Sequence, residues 1–536
     1  MWTPTNRPLL WGITLSLLWA CSGGTESTPD TKQSIDGVMP MDVSDPSDQI
    51  NEGVDITTVA DVGADQGSTA PDTTVYDTGT PVDLVQNVDE GTTADLIAPP
   101  DEGVVAAPSP PDFDHLDLLV DSTRGDTPVW LSLIYVQEGL DGPEFHSYEY
   151  GNSGDQFDYW PASVIKLYTV TAALELVKSY GLTIDASAAF YHDAGNGWTY
   201  DTTRTIRELI HGVFNCSSNS TYTLLLRFAG LDWINTEFFT PEKGFNNTTL
   251  MRGYVLESPW VYTRTQPQRI VLSEGDASVE RVHEWSGTSY ADLAGCSIYN
   301  ETGTANCSSP DDMVEHVRRL IFHESLPPSE RFDVHQDALD WVRYGGPDPE
   351  FKNTVCAGPA YDGIARTFPN ADYYHKGGLV TDYALDLHYV DDAASGTRYI
   401  AAIATESTSQ YTQEMLSEDI ATMVKYPDTY IHLENLPDWV NPVTADALVV
   451  NKTPGILDLV VRDFELSSDQ PESWEALAGS EVYLNAGTQW LSLESSCLTL
   501  SLKYHIRARF RPDDGSATAF SDYHYVIVDA DQACTP

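Results

Sequence analysis

The sequence predicts an α/β layered sandwich with a separate helical lobe, followed by an all-β sandwich-like segment. Three observations carry this prediction. Strand-like apolar runs open and close the span 113–427, helical periodicity fills its middle, and only strand-like runs separated by Gly, Pro, Asn and Asp follow Pro427. Strands at both ends of a helical middle imply one sheet closed by the two ends of the domain.

A chain of 536 residues exceeds one ordinary core, so several units are expected. Residues 1–20 read as a lipoprotein signal peptide. Arg7 precedes a short apolar run, Leu9 to Leu18, which closes as Leu18-Trp19-Ala20-Cys21 and is too short for a mature membrane span. Apolar and small residues before a cysteine resemble a bacterial lipobox, in which the cysteine is acylated. Cys21 is then the lipidation site, holding the protein at a bacterial membrane on its periplasmic or cell-surface side. An ordinary secretory signal with an incidental cysteine gives the same side of the membrane. Residues 21–112 are rich in Asp, Thr, Pro and Gly, with Tyr76 the only aromatic and Lys32 the only basic residue, and read as an acidic disordered tether that self-repulsion extends.

Aromatic and aliphatic residues appear at Phe113. Val129 to Val136 and Glu144 to Tyr150 read as two strands around a glycine-containing turn. Helices are expected over Val164 to Tyr180 stopped by Gly181, Ile206 to Phe214, Thr221 to Phe228 stopped by Gly230, and Asp311 to Phe322 after a Ser-Pro start. Strands return at Tyr383 to Val390 and Arg398 to Thr405, before a helix near Thr412 to Lys425. The segment 428–536 offers Ala447 to Val450, Leu457 to Val461, Glu481 to Leu484, Leu498 to Phe510 and Tyr523 to Val528. Tyr504 to Phe510, a Gly turn and Phe520 to Tyr523 together resemble the closing hairpin of fibronectin type III modules.

Charge and cysteine usage narrow the function. With 28 basic residues against 81 acidic ones and a net charge of -53, nucleic acid is excluded as a partner, because phosphate binding needs concentrated Lys and Arg. No C-x-x-C or H-E-x-x-H occurs, so no metal and no cofactor is expected. Six cysteines follow Cys21, an even number that suggests disulfides in an oxidising compartment. Cys497 with Cys534 is one expected pair, and Cys296 with Cys307 a candidate staple at the end of an expanded region, 258–306. The sequence leaves the remaining pairing open.

Three short motifs carry chemistry. Ser163 and Lys166 stand at a helix start, where i to i+3 spacing puts a hydroxyl and an amine on one face. Serine needs an adjacent base to become a nucleophile, and a partly buried lysine can be tuned to that role. By itself, S-x-x-K reads rather as a helix cap beside an exposed lysine. Ser217-Ser218-Asn219 lies on a polar turn before a Leu-rich helix, and Lys376-Gly377-Gly378-Leu379 enters the strand region near Tyr383.

In this order, S-x-x-K, S-x-N and K-x-G resemble the motifs of the penicillin-recognising serine acyltransferases, specifically the class A β-lactamase family, over about Phe113 to Pro427. The resemblance implies a β-lactamase/transpeptidase-like fold and an acyl-enzyme at Ser163. Lys166 would be its base, Ser217 would relay a proton to the leaving nitrogen, and Lys376 would supply positive charge. Asn219 would hold a substrate amide, Gly378 would permit close approach, and the backbone N–H groups of Ser163 and Leu379 would form the oxyanion hole.

Departures from the family pattern bear on substrate and turnover. Ser218 stands where the family usually has Asp, and Gly377 where it commonly has a hydroxyl that helps bind a substrate carboxylate. The arginine usual on the next strand is missing from Tyr383 to His388, with Arg398 the nearest substitute. The deacylating Glu position of the omega loop, aligned through Arg252, holds Tyr254; Glu257 is the candidate replacement. The expected function is therefore serine hydrolysis of a β-lactam or related amide. A D-Ala-D-Ala peptidase or transpeptidase acting on peptidoglycan peptide is the alternative within this chemistry, and an inactive hydrolase-fold surface binding protein the alternative outside it.

Overall fold

The computed structural model describes residues 113–527 except 114, 141, 153–160, 194, 216, 256–265, 299, 301–302, 346–348, 353–357, 381, 435–443, 464–474, 495–502, 516–517 and 522–523. The signal and tether segments with Cys21, the candidate Glu257, and Cys216, Cys356, Cys497 and Cys534 lie outside the described residues.

Helix α1 (Leu116–Arg124) precedes the hairpin β1 (Val129–Gly139) and β2 (Gly142–Tyr150). A 3-10 turn, Ala162–Ile165, leads into α2 (Lys166–Ser179). There follow β3 (Ser187–Asp193), β4 (Trp198–Thr205), α3 (Ile206–Phe214), α4 (Asn219–Ala229) and the single turn α5 (Leu231–Trp233). The hairpin β5 (Gln268–Glu274) and β6 (Ala277–His283), the short α6 (Tyr290–Ala294), α7 (Pro310–Ile321), α8 (Gln336–Tyr344) and α9 (Gly358–Thr367) complete the middle. Then come β7 (Asp372–Val380), β8 (Tyr383–Asp392), β9 (Thr397–Thr405) and α10 (Gln410–Lys425).

The first and last strands of this span join in one antiparallel sheet of order β2-β1-β9-β8-β7. Alternation along its strands loads both faces. Ile134, Val136, Leu387, Ile400 and Ala402 face a core shared with α2, α4 and α7, whereas Leu131, Leu133, Val390, Tyr399 and Ala401 pack with α1, α9 and α10. β7 is an edge strand, so one row of its backbone groups is left unused by β8.

Local signals explain most helix ends. Thr205 and Glu208 form a reciprocal capping box at α3, Ser309 caps α7 ahead of Pro310, and Gly230 ends α4 at φ 79°. Every residue of α2 from Lys166 to Val177 is buried, which makes it the central helix of the lobe.

The lobe also contains a four-stranded sheet, β4-β3-β5-β6, that the sequence reading did not anticipate. Its second hairpin is built from the expanded region, whose end is stapled by a Cys296–Cys307 disulfide. A buried ionic knot ties this sheet to α4: Arg227 pairs with Asp201 and donates from Nε to Gln268 Oε1 at 2.7 Å, while His192 Nδ1 lies 2.8 Å from the other Asp201 oxygen. Both Arg227 and Asp201 side chains are at most 2% exposed. Arg227→Ala strands the Asp201 carboxylate, and a loss of about 3–5 kcal/mol in chemical denaturation is expected. A change within error would show that the knot does not hold the lobe sheet.

Beyond α10 the described chain is β only: β10 (Thr429–Glu434), β11 (Thr444–Asn451), β12 (Gly455–Asp463), β13 (Glu475–Ala476), β14 (Val482–Leu484), β15 (Gly487–Glu494), β16 (Lys503–Pro512), β17 (Ala519–Phe520) and β18 (His524–Ile527). One sheet runs β10-β11-β15. The other runs β13-β12-β16-β17, with β14 on β12 and β18 on β16. Ile431, Ala447 and Val449 of the first share a core with Leu457, Leu459, Ile506 and Phe510 of the second.

Candidate active site

The 3-10 turn carrying Ser163 sits against the edge strand β7. A Cβ placed on Gly378 would lie 3.1 Å from the Ser163 nitrogen and 3.0 Å from the Ala162 Cβ, so only glycine lets the strand approach this closely. Leu379 follows and is exposed. Ser163 does not cap α2, which starts without a side-chain capping hydrogen bond. The cap reading of S-x-x-K therefore fails, and Ser163 is partly exposed.

Lys166, the first residue of α2, is fully buried and joins two of the three motifs. Its Nζ donates to Ser217 O at 2.5 Å, to Asn219 Oδ1 at 2.6 Å and to Ser217 Oγ at 3.1 Å. Lys376, 5% exposed, reaches the same hydroxyl from β7, with Nζ 2.8 Å from Ser217 Oγ. Thus Lys166, Ser217, Asn219 and Lys376 are linked directly. Ser163 is placed beside them by its position one turn before Lys166 and by its contact with Gly378.

Two residues at the site hold backbone conformations that favour glycine. Ala162, before Ser163, has φ 44°, and Ser217 has φ 62°; Asn152 is the one other non-glycine residue with positive φ among the described residues. Such strain persists where surrounding contacts fix it. Ser217 is fixed by both lysines. Ser218, the departure within the second motif, caps α4 by accepting from Thr221 N at 3.3 Å.

Tyr254 stands where the sequence resemblance implies a glutamate. Its hydroxyl donates to Ala162 O at 2.8 Å and accepts from Asn306 Nδ2 at 3.2 Å, and its ring lies 4.9 Å from that of Tyr222. Lys166 Nζ is 5.7 Å from the Tyr254 ring centre and 5.8 Å from that of Tyr222. Asn306 also accepts from the backbone N–H groups of Met251 and Arg252 at 2.8 and 3.0 Å. Sequence reasoning found Tyr254 but missed Asn306 and Tyr222. The only signal for Asn306 was its place next to Cys307.

The two lysines are electrostatically distinct. Burial, and then the neighbouring charge of Lys376, push the Lys166 ammonium well below the ordinary lysine value. Burial brings Lys376 down to about 7, against an upward pull from Asp386. An amine that loses its proton easily is a base for a serine hydroxyl; as a neutral amine Lys166 keeps two donors for Ser217 O and Asn219 and frees a lone pair.

Arg398 is not brought to the site. It lies opposite Asp391 and pairs with Glu138.

A pH dependence follows. Lys376 is charged below about pH 7 and neutral above it, so the positive charge beside Ser217 is lost as pH rises through that value. The acylation that the sequence resemblance implies at Ser163 is expected to decline on the alkaline side with a midpoint near 7, and Lys376→Arg, which stays charged, to carry that limb to higher pH. An alkaline limb unmoved in Lys376→Arg would assign it to another group.

No family model matches this chain, and no curated protein matches it. Among solved structures it is similar to a beta-lactamase from Sphaerobacter thermophilus, at 14% identity over 58% of this chain and 96% of that one, with a TM-score of 0.37. A class A beta-lactamase from Bacteroides cellulosilyticus is similar at 16% identity, over 58% and 96% of the two chains, with a TM-score of 0.37. PBP-A is similar at 16% identity, over 59% and 97%, with a TM-score of 0.37.

Proposed function

We propose that the protein is a serine hydrolase of class A β-lactamase type that forms an acyl-enzyme at Ser163 with a β-lactam or related amide. One observation carries the reading: Lys166 and Lys376 converge on Ser217 Oγ at 3.1 and 2.8 Å beside the turn that presents Ser163. In the proposed step Ser163 Oγ bonds to the substrate carbonyl carbon and passes its proton to the neutral Lys166 amine. The carbonyl carbon–nitrogen bond then breaks, the leaving nitrogen takes the Ser217 hydroxyl proton, and Lys166 returns a proton to Ser217. The N–H groups of Ser163 and Leu379 would hold the developing oxyanion, and Asn219 the amide of the acyl group.

Tyr254 favours slow release of the acyl group, as in an enzyme that processes cell-wall peptide. Its O–H is committed to Ala162 O, so it offers no base for water. Glu257 remains the candidate for that role. To the same reading belong a signal peptide at 1–20, lipidation at Cys21, an acidic tether at 21–112, a hydrolase domain at 113–427 and a fibronectin type III-like domain at 428–536. A lipid-anchored enzyme outside the cytoplasm would meet β-lactams and peptidoglycan peptides directly.

Labelling with a fluorescent penicillin at saturating concentration tests the proposal. The wild-type chain should be labelled covalently and Ser163→Ala should not. Equal labelling of the two would refute Ser163 as the nucleophile.

A further inference from the structure

A cavity of about 420 Å³ lies between the β1–β2 hairpin, the start of α7 and the segment 244–246, at the end of the five-stranded sheet opposite β7. Its floor is made of buried residues, Ser132, Ile134, Asp312 and Val314, and its rim carries Glu149, Asp311 and Glu315. Alternation along β1 sets Ser132 in the row that Ile134 and Val136 otherwise fill with apolar side chains. Gly244, at φ 86°, closes the wall: a Cβ there would meet Glu315 Cγ at 2.6 Å, so glycine lets this segment lie against α7.

Two buried polar groups at the floor lack the partners that burial demands. Ser132 is 3% exposed, and its hydroxyl has no hydrogen-bond partner among the described residues. Asp312 is 1% exposed, and its oxygens accept only from neutral groups: Oδ1 from Asn246 N at 3.1 Å, Oδ2 from Asn247 N at 2.8 Å and Thr248 Oγ1 at 2.7 Å. Burial raises the Asp312 carboxyl to about 6 against the pull of these donors, and no cation pairs with it among the described residues. No Lys, Arg or His lines the cavity. Glu315 alone of the rim acids is tied to arginines, Arg318 and Arg319 on the next turn of α7. Among the described residues no three acidic, His or Cys side chains converge closely enough to hold a metal ion, so the occupant that this charge calls for is organic.

We propose that this cavity binds a primary alkylammonium, its charged end at the floor with Asp312 and Ser132 and its carbon chain against Ile134 and Val314. An ammonium has three donors and no acceptor, which a carboxylate and a free hydroxyl answer together. A second ammonium at the other end of the chain meets the acidic rim at Glu149 and Asp311, so an aliphatic diamine is the fitting ligand. A lysine side chain of a peptide offers the floor the same chemistry without the second charge. No residue of this site belongs to the three motifs around Ser163, and the inference stands apart from the acyl-enzyme reading.

Calorimetric titration of the full chain with 1,5-diaminopentane, pentylamine and N-acetyl-lysine amide tests this. The diamine is expected to bind one to one, about two- to fivefold tighter than pentylamine, the advantage an exposed ion pair gives. Ser132→Ala should weaken every one of the three about tenfold or more, because the ammonium loses its buried acceptor. Glu149→Gln, a change at the exposed rim, should remove the advantage of the diamine and leave pentylamine unaffected. Binding that neither substitution changes is diffuse attraction to an acidic chain and overturns the site. Lysine amide binding tighter than the diamine overturns the free diamine as ligand and assigns the cavity to a peptide lysine. Displacement of the diamine by calcium ions, one for one, overturns the organic cation.

Discussion

Lys166→Ala is expected to slow acylation of Ser163 by about a hundredfold to ten-thousandfold, the range a positioned general base supplies. The same variant removes the donors that hold Ser217 O and Asn219 Oδ1, so loss of rate alone does not distinguish base from brace. Lys166→Arg separates them. Arginine can still donate to Ser217 and Asn219 but does not give up its proton, so it should be as slow as alanine. Near wild-type acylation in Lys166→Arg would contradict the base role and leave Lys166 as structural. The burial of every α2 residue from Lys166 to Val177 is the physical origin of this prediction, because an exposed lysine at the same spacing would stay protonated.

Tyr254→Glu is expected to shorten the lifetime of the acyl-enzyme by about a hundredfold or more, since it places a carboxylate base where a phenol now donates to Ala162 O. The wild-type adduct should persist after free β-lactam is removed. Tyr254→Phe supplies the control: it keeps a ring against Tyr222 and adds no base, so its adduct should last as long as the wild type's. An adduct on Tyr254→Glu as durable as that of the wild type would show that water is activated elsewhere, and Glu257→Gln would then be the informative variant.

Much of this site was legible because its signals are local. Gly181 and Gly230 mark helix ends, Ser-Pro marks the start of α7, and spacing alone sets Ser163 and Lys166 one turn apart. What was not legible depends on register or on weak patterning. The pairing of Gly377 with Asp386 follows from how β7 meets β8, and a lone aspartate within Tyr383 to Val390 gave the only hint of it. The lobe sheet was missed because β4, Trp-Thr-Tyr-Asp-Thr-Thr-Arg-Thr, buries little, and β6 alternates without a strong apolar face. β15 escaped for the same reason, with Leu493 its one buried residue. Cys296 and Cys307 were paired correctly from their place at the end of one region, whereas Arg398 required the hairpin register to be set aside.

The same contrast separates chemistry from specificity. Ser163, Lys166, Ser217 and Lys376 announce themselves by type and spacing. Tyr254, to which the proposed function assigns slow release, is held by neighbours distant in sequence, Asn306 and Ala162.

The central claim is that Ser163 is acylated, and the most direct measurement is mass-spectrometric mapping of the covalent adduct after saturating exposure to a β-lactam. The expected result is one added acyl mass, located at Ser163 of the tryptic peptide Gly125 to Lys166. An adduct on another residue, or none on a folded chain, would contradict it.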